Sequence, residues 1–143
     1  VKLAPATEYH AKFSFPYTLA AALHFGRLHV EAFTDAAIHD PAILTLAAKI
    51  HNEVDSTAPD PSRFKGWVIV ETKSGKRLER IVENNLGSES NPLSANDVRK
   101  KFRDNAGLVL EKGTVEAVIG MIEGLEEVRD INALTALCVR VAH

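Results

Sequence analysis

Residues 67–82 read WVIVETKSGKRLERIV, and the fold class depends on this stretch because it predicts a β-hairpin. Its two runs, 67–72 and 77–82, are rich in β-formers, and Gly75 between them can adopt the positive φ of a tight turn. A two-residue loop at Ser74 and Gly75 would divide the strand side chains between two faces. The first set is Trp67, Ile69, Leu78 and Val82, and the second is Val68, Val70, Glu79 and Ile81. Because neither face is polar throughout, we expect coverage on both sides at one end of the hairpin.

Helical patterns precede the hairpin. Residues 17–25 contain three consecutive alanines with flanking leucines, and Gly26 is suited to end that helix. The helix is apolar nearly all round, so we expect it to be buried. A short helix is predicted over 30–34, and Asp40 followed by Pro41 predicts the start of another that runs to about residue 51.

Further helices follow the hairpin. Ser94 with Asp97 three residues later is a near-match to a capping box. The helix that it opens has an apolar stripe of Val98, Phe102, Ala106 and Val109. Gly113 is expected to separate it from a helix with Val115, Val118, Ile119, Ile122 and Leu125 on its apolar side. Asp130 is expected to cap a last short helix, and residues 55–63 and 84–92 read as loops.

These patterns predict one α+β domain over residues 1–143. We expect two layers, with a small antiparallel sheet (a hairpin at about 66–83) packed against several helices. The 143 residues are 45% hydrophobic and 25% charged, which is typical of a soluble globular domain. The net charge of -2 offers no excess for binding nucleic acid or an anionic membrane, so we expect neither partner.

The sequence also indicates the cellular compartment of the protein. The single cysteine, Cys138, excludes an intramolecular disulfide and a cysteine zinc cluster, and it fits a reducing compartment. No apolar run approaches the ~18 residues of a membrane span, and the first residues lack a signal-peptide pattern. We therefore expect a cytoplasmic protein. The chain begins at Val1 rather than Met, from which we expect a longer parent polypeptide.

Residue chemistry alone identifies no catalytic centre. None of the six histidines has a ligand spacing typical of zinc sites, so no metal is predicted. The basic residues of 99–103 are flanked by Asp97 and Asp104, which favours a solvated helix face with ion pairs over phosphate binding. A Gly-rich phosphate loop, a nucleophile elbow and a Cys-His arrangement are all missing from the sequence.

Two stretches resemble the C-terminal part of MmgE/PrpD proteins. Residues 11–26, AKFSFPYTLAAALHFG, resemble the family pattern fSxpyxxAxAlxxG, and residues 91–103, NPLSANDVRKKFR, resemble nPlsxxdlxxKF. The intervening motifs occur in the expected order, and residues 125–137 look like the family's tail. The resemblance therefore extends over almost the whole chain.

This resemblance implies a fold, an activity and partners. Family members act on small polycarboxylates, as 2-methylcitrate dehydratase and cis-aconitate decarboxylase do. A large helical N-terminal domain and a smaller α+β domain, often called a lid, enclose the active site, and the proteins are typically homodimers without a required metal or other cofactor. This chain would be the lid, with the helical catalytic domain outside it. The parent would be a lyase or isomerase of a small di- or tricarboxylate, similar to 2-methylcitrate dehydratase, and the isolated chain would be inactive. Dehydration, decarboxylation and epimerisation all stay open as its reaction.

The resemblance also implies site residues. The segment that matches Ser14 to Tyr17 faces the cleft in relatives, so Tyr17 is a candidate for substrate contact or proton relay, with Ser14 as a polar neighbour. The alternative is that Tyr17 is an interfacial aromatic at a helix start. Phe102 of the KF motif is expected in the core, and Lys101 in a structural ion pair.

A second hypothesis for function stays open. The chain could be a free-standing small-ligand-binding or dimerisation module with the same fold and no catalysis. A large exposed apolar patch around Tyr17 and the alanine-rich helix would favour the lid over this module.

Overall fold

The computed structural model describes residues 4–54 and 65–139. Its described residues form seven α-helices, two short 3₁₀ helices and one two-stranded antiparallel sheet, so the α+β class is confirmed. The described residues divide into two compact units, the first comprising residues 4–54 with 104–111 and the second comprising 65–103 with 112–139. The predicted loop at 55–63 lies outside the described residues.

The first unit is built from short helices around a core of small side chains. In chain order these are α1 (Glu8–Ala11), α2 (Phe15–Phe25), a 3₁₀ helix (Val30–Phe33), α3 (Asp35–Ile38) and α4 (Pro41–Ala47). The buried core consists of Ala11, Tyr17, Ala20, Ala21, Ala32, Ile38, Ile43 and Ala47. Because five of these eight are alanines, the helix backbones can approach one another closely around the one large aromatic ring.

Helix α2 is buried on one side only, so the expectation of complete burial is wrong. Ala20 and Ala21 pack into the core, whereas Leu23 is 52% exposed and Phe25 is also exposed. Composition indicated which residues are apolar, but no described element covers the outer side of this helix. Gly26 ends α2 with φ 74, as predicted.

Helix α4 begins as predicted and ends early. The Asp40 carboxylate accepts a hydrogen bond from the Ala42 N–H at 2.7 Å, and Pro41 occupies the first turn. The helix ends at Ala47 rather than near residue 51, because the following amides bond three residues back. Lys49 N–H donates to the Leu46 carbonyl and Ile50 N–H to the Ala47 carbonyl, both at 3.0 Å, which tightens the last turn.

The second unit contains the predicted hairpin, with β1 (Gly66–Glu71) and β2 (Arg77–Val82). Its register differs by one residue from the prediction, because Trp67 pairs with Ile81 and Glu71 with Arg77. The reason is the turn: the Gly75 N–H donates to the Thr72 carbonyl at 2.9 Å, with Gly75 at φ 79, so three residues rather than two form the loop.

The corrected register reassigns the side chains of β2. Residues directly opposite each other in an antiparallel pair share a face. Glu79 and Ile81 therefore lie with Trp67 and Ile69, and the second face holds Val68, Val70, Leu78 and Val82. The assignment of Leu78 and Val82 to the Trp67 face is wrong. Trp67, Ile69, Leu78, Ile81 and Val82 are all exposed.

The remaining helices are α5 (Ala95–Ala106), α6 (Lys112–Glu123), a 3₁₀ helix (Leu125–Glu127) and α7 (Ile131–Leu137). The capping box is confirmed, because Ser94 N–H donates to the Asp97 carboxylate at 3.0 Å and Asp97 N–H donates to Ser94 Oγ at 3.1 Å. Asp130 caps α7 through the Asn132 N–H, also as predicted. Gly113 lies in the first turn of α6 rather than between two helices.

The apolar stripe predicted for the helix that Ser94 opens is not buried. Val98 is exposed and Phe102 is half-buried, so Phe102 is not a core residue. Val109 is also exposed and lies beyond the end of α5 at Ala106. Long charged side chains link this helix to α6: Arg103 makes two bonds to Glu116 at 2.6 and 2.8 Å, and Arg99 pairs with Glu123. Among the described residues of the second unit, the buried ones are Val115, Val118 and Ile119 on α6.

None of the helices in residues 4–54 and 65–139 is long and apolar enough to cross a membrane.

Candidate functional site

Ser14 and Tyr17 lie together at the start of α2. The Ser14 side chain caps this helix and accepts a hydrogen bond from the Tyr17 N–H at 3.4 Å. Three successive turn-type bonds precede the cap, from Lys12 N–H to Tyr9 O, Phe13 N–H to His10 O and Ser14 N–H to Ala11 O. These bonds join α1 to α2 through a tightly hydrogen-bonded turn. The two predicted site residues are therefore held on a well-defined backbone.

The Tyr17 phenol is fully buried in the first unit. Its hydroxyl donates to the Ala32 carbonyl at 2.5 Å, which ties α2 to the 3₁₀ helix Val30–Phe33. Burial raises the pKa of Tyr17 above its ordinary value of 10.0, and the negative charge of Asp40 raises it further. The phenol therefore stays protonated at neutral pH, where it can donate a hydrogen bond.

An aromatic ring lies next to this tyrosine, and a cation contacts that ring. The Phe33 ring lies 6.4 Å from the Tyr17 ring, at an interplanar angle of 51°. The Lys12 ammonium lies 5.9 Å from the centroid of the same Phe33 ring, within the range of a cation–π contact. The Tyr17 ring and the Lys12 ammonium thus both lie close to one phenyl ring. Sequence reasoning missed Lys12 and Phe33 as members of this cluster.

Two histidines flank the end of α2. The rings of His24 and His29 lie 4.9 and 5.2 Å from the Phe25 ring. His29 Nδ1 is buried and lies 3.0 Å from Glu31 Oε2, in an orientation that does not give a hydrogen bond. Among residues 4–54 and 65–139, no three His, Cys, Asp or Glu side chains are grouped so that they could hold a metal ion.

Several large apolar side chains of the first unit are exposed near the candidate site. Phe13 is 74% exposed and Tyr9 is 67% exposed, and their rings contact each other with centroids 5.1 Å apart. Phe15, in the first turn of α2, is also exposed. Tyr17 itself is fully buried, whereas Phe15, Leu23 and Phe25 of the same alanine-rich helix are exposed.

Comparison with known proteins identifies the family. The model of the MmgE/PrpD C-terminal domain matches residues 1–127. The chain belongs to the MmgE/PrpD family. That match includes Ser14, Tyr17 and the KF motif, and it ends near the start of the predicted tail at 125–137, so most of the tail resemblance stays a prediction.

Curated MmgE/PrpD relatives are similar along nearly the whole chain. It is 30% identical over 136 residues to cis-aconitate decarboxylase of Mus musculus and 31% identical over 134 residues to that of Homo sapiens. A cis-aconitate decarboxylase-like protein of Aspergillus oryzae is 25% identical over 134 residues. Each comparison covers 93% of this chain but only 28% of the relative, so the chain spans less than a third of the length of these relatives.

Proposed function

We propose that this chain is the lid of a lyase that acts on a small di- or tricarboxylate. The observation that carries the proposal is its similarity to two cis-aconitate decarboxylases over 93% of its length. In this proposal a helical N-terminal domain, outside this chain, builds most of the active site, and two copies of the full polypeptide form a homodimer. The substrate class follows from the relatives, whereas the choice between decarboxylation and dehydration is left to experiment.

The exposed apolar side chains support this role. An isolated binding module is expected to keep contiguous exposed apolar patches small. Here Tyr9 and Phe13 contact each other on the surface and Phe15 lies nearby, while Leu23 and Phe25 are exposed along α2. Burial of these side chains against another domain would remove apolar surface from water and stabilise the closed lid.

Tyr17 has a defined chemical role in the proposal. Loss of a carboxylate or of a proton next to a carboxylate leaves an electron pair that hydrogen-bond donors and cations stabilise. A protonated phenol is such a donor, and the pKa of Tyr17 is raised. Its hydroxyl now bonds to the Ala32 carbonyl, so contact with substrate requires the 3₁₀ helix Val30–Phe33 to shift when the lid closes. Ser14 would act through its cap on α2.

Activity assays on two polypeptides test the proposal. The full-length polypeptide that contains this chain and the chain of 143 residues are each assayed with cis-aconitate, by CO₂ release, and with 2-methylcitrate, by water elimination. We expect the full-length protein to turn over one of these substrates and the isolated chain to turn over neither, because a lid completes a site without forming it.

Two results would overturn this assignment. Turnover by the isolated chain would mean that it holds the whole catalytic site and is not a lid. A full-length protein without activity on either acid would refute the lyase proposal, and polycarboxylate binding by the chain alone would then support the free-standing binding module.

A further inference from the structure

Lys12 is fixed in position although its side chain is exposed. It follows α1 as its C-cap and lies between fully buried Ala11 and Ser14, which is 5% exposed. Its N–H bonds back to the Tyr9 carbonyl at 3.3 Å. The backbone of Lys12 is therefore held by the core, while its ammonium group is accessible to a ligand.

The ammonium of Lys12 has no carboxylate partner in the part of the chain that the structure describes. Its contact there is the face of Phe33, at 5.9 Å from the ring centroid. Arg27 in the same unit, by contrast, pairs with Asp104 at 2.5 Å. A cation–π contact restrains the lysine stem and leaves the ammonium donors free to bind an anion.

The same phenyl ring connects Lys12 to the candidate site. Phe33 lies close to both the Tyr17 ring and the Lys12 ammonium, so one phenyl ring links the cation to the protonated phenol. A di- or tricarboxylate has more than one negative group to neutralise, whereas the phenol carries no charge at neutral pH. The cluster therefore pairs a hydrogen-bond donor with a positive charge.

We infer that Lys12 is a substrate-binding residue, which contacts one carboxylate of the substrate while Phe33 holds its ammonium in place. This inference rests on the proposed function, because it takes the substrate class from it. Lys12 acts on binding and not on the chemical step, so its removal raises KM and leaves kcat nearly unchanged.

The test compares variants of the full-length polypeptide in two readouts. The first is steady-state kinetics with whichever of the two acids the protein turns over, and the second is calorimetric binding of tricarballylate, a saturated tricarboxylate used as a probe. Lys12→Met removes the charge and keeps the stem, and Lys12→Arg keeps the charge. Lys49→Met is the matched control, because Lys49 is an exposed lysine of the same unit just after α4.

We expect Lys12→Met to raise KM and the tricarballylate Kd by about tenfold or more, as for loss of a charge-assisted hydrogen bond. Lys12→Arg should recover most of the affinity, and Lys49→Met should match the parent protein. Equal binding by Lys12→Met, no recovery in Lys12→Arg, or an equal effect of Lys49→Met would each overturn the inference.

The two readouts separate this inference from the proposed function. If neither acid is turned over, the lyase proposal fails, and tricarballylate binding still decides the role of Lys12. If turnover is observed and Lys12→Met changes neither KM nor binding, the lyase proposal stands and the inference about Lys12 fails. Absence of tricarballylate binding to the parent protein would also overturn it.

Discussion

Replacement of Tyr17 by phenylalanine removes one oxygen atom from the interior of the first unit. The ring keeps its volume, so its packing against Phe33 is retained. What is lost is the bond from the hydroxyl to the Ala32 carbonyl, the contact that ties α2 to the 3₁₀ helix. The substitution therefore isolates the free energy of one buried hydrogen bond.

The magnitude follows from the burial of both partners. A hydrogen bond contributes about 1 kcal/mol net, and a buried acceptor left without a donor costs about 1–3 kcal/mol. Ala32 and Tyr17 are both fully buried, so water cannot readily replace the lost hydroxyl. We expect Tyr17→Phe to lower the free energy of unfolding by about 2 kcal/mol, which lowers the unfolding midpoint of a chain of this length by roughly 4–8 °C.

Urea unfolding of the chain, followed by the helical circular-dichroism signal, measures this difference. Tyr9→Phe is the matched control, because Tyr9 is the other tyrosine and is 67% exposed. We expect the control to stay within about 0.5 kcal/mol of the parent chain. A loss confined to Tyr17→Phe assigns the effect to the buried bond.

The pH dependence of the stability difference between the parent chain and Tyr17→Phe is a second test, and the raised pKa of Tyr17 fixes its direction. The pKa of Tyr17 is raised above 10.0 by burial and by Asp40, so the folded chain favours the protonated phenol. That contribution to stability is complete below pH 10.0 and is lost as the pH rises through the folded pKa. The stability difference between the parent chain and Tyr17→Phe should shrink in that range. Equal stability of the two proteins at neutral pH would refute the reasoning, as would an equal loss in Tyr9→Phe.

Two further predictions concern carboxylates. Asp40→Asn keeps an acceptor for the Ala42 N–H but removes the charge that contributes to the raised pKa of Tyr17. That pKa should fall toward its ordinary value in a tyrosinate absorbance titration, and an unchanged titration would contradict the assignment. In the second unit, hydrogen bonds from Arg103 lower the pKa of Glu116 below 4.5. The resulting stabilisation is present above pH 4.5 and is lost as the pH falls through the lowered pKa. Thermal unfolding midpoints of the parent chain and Glu116→Gln should therefore differ at neutral pH and converge in acid, and parallel curves would exclude this linkage.

Local features were the ones that the sequence predicted accurately. Asp40, Asp130 and the Ser94–Asp97 pair cap their helices as expected, because each cap depends on residues within one turn. The hairpin was found for the same reason, but its register was not. The Thr72 side chain bonds to both the N–H and the carbonyl of Lys76, at 3.0 and 3.1 Å, and these bonds accompany the longer turn.

Burial was predicted less well, because periodicity identifies apolar residues and not the surfaces that cover them. Leu23 on α2 and Val98 on α5 fit apolar patterns, yet both are exposed. The candidate site shows the same difference between features that the sequence predicts and contacts that depend on the fold. The motif around Ser14 and Tyr17 is readable along the chain, whereas the contact of Lys12 with Phe33 joins residues 21 positions apart and requires the fold.

The two units carry different intrinsic chromophores. The only tryptophan of the chain, Trp67, belongs to the hairpin in the second unit, where its indole N–H donates to Glu79 at 2.8 Å. Both tyrosines, Tyr9 and Tyr17, belong to the first. Fluorescence of the selectively excited indole therefore reports the unfolding of the second unit. Phenol absorbance reports the unfolding of the first unit, and neither signal needs an added label. Coincident unfolding transitions in the two signals would show that the two units unfold together as one cooperative system. Separate transitions would give the free energy of unfolding of each unit.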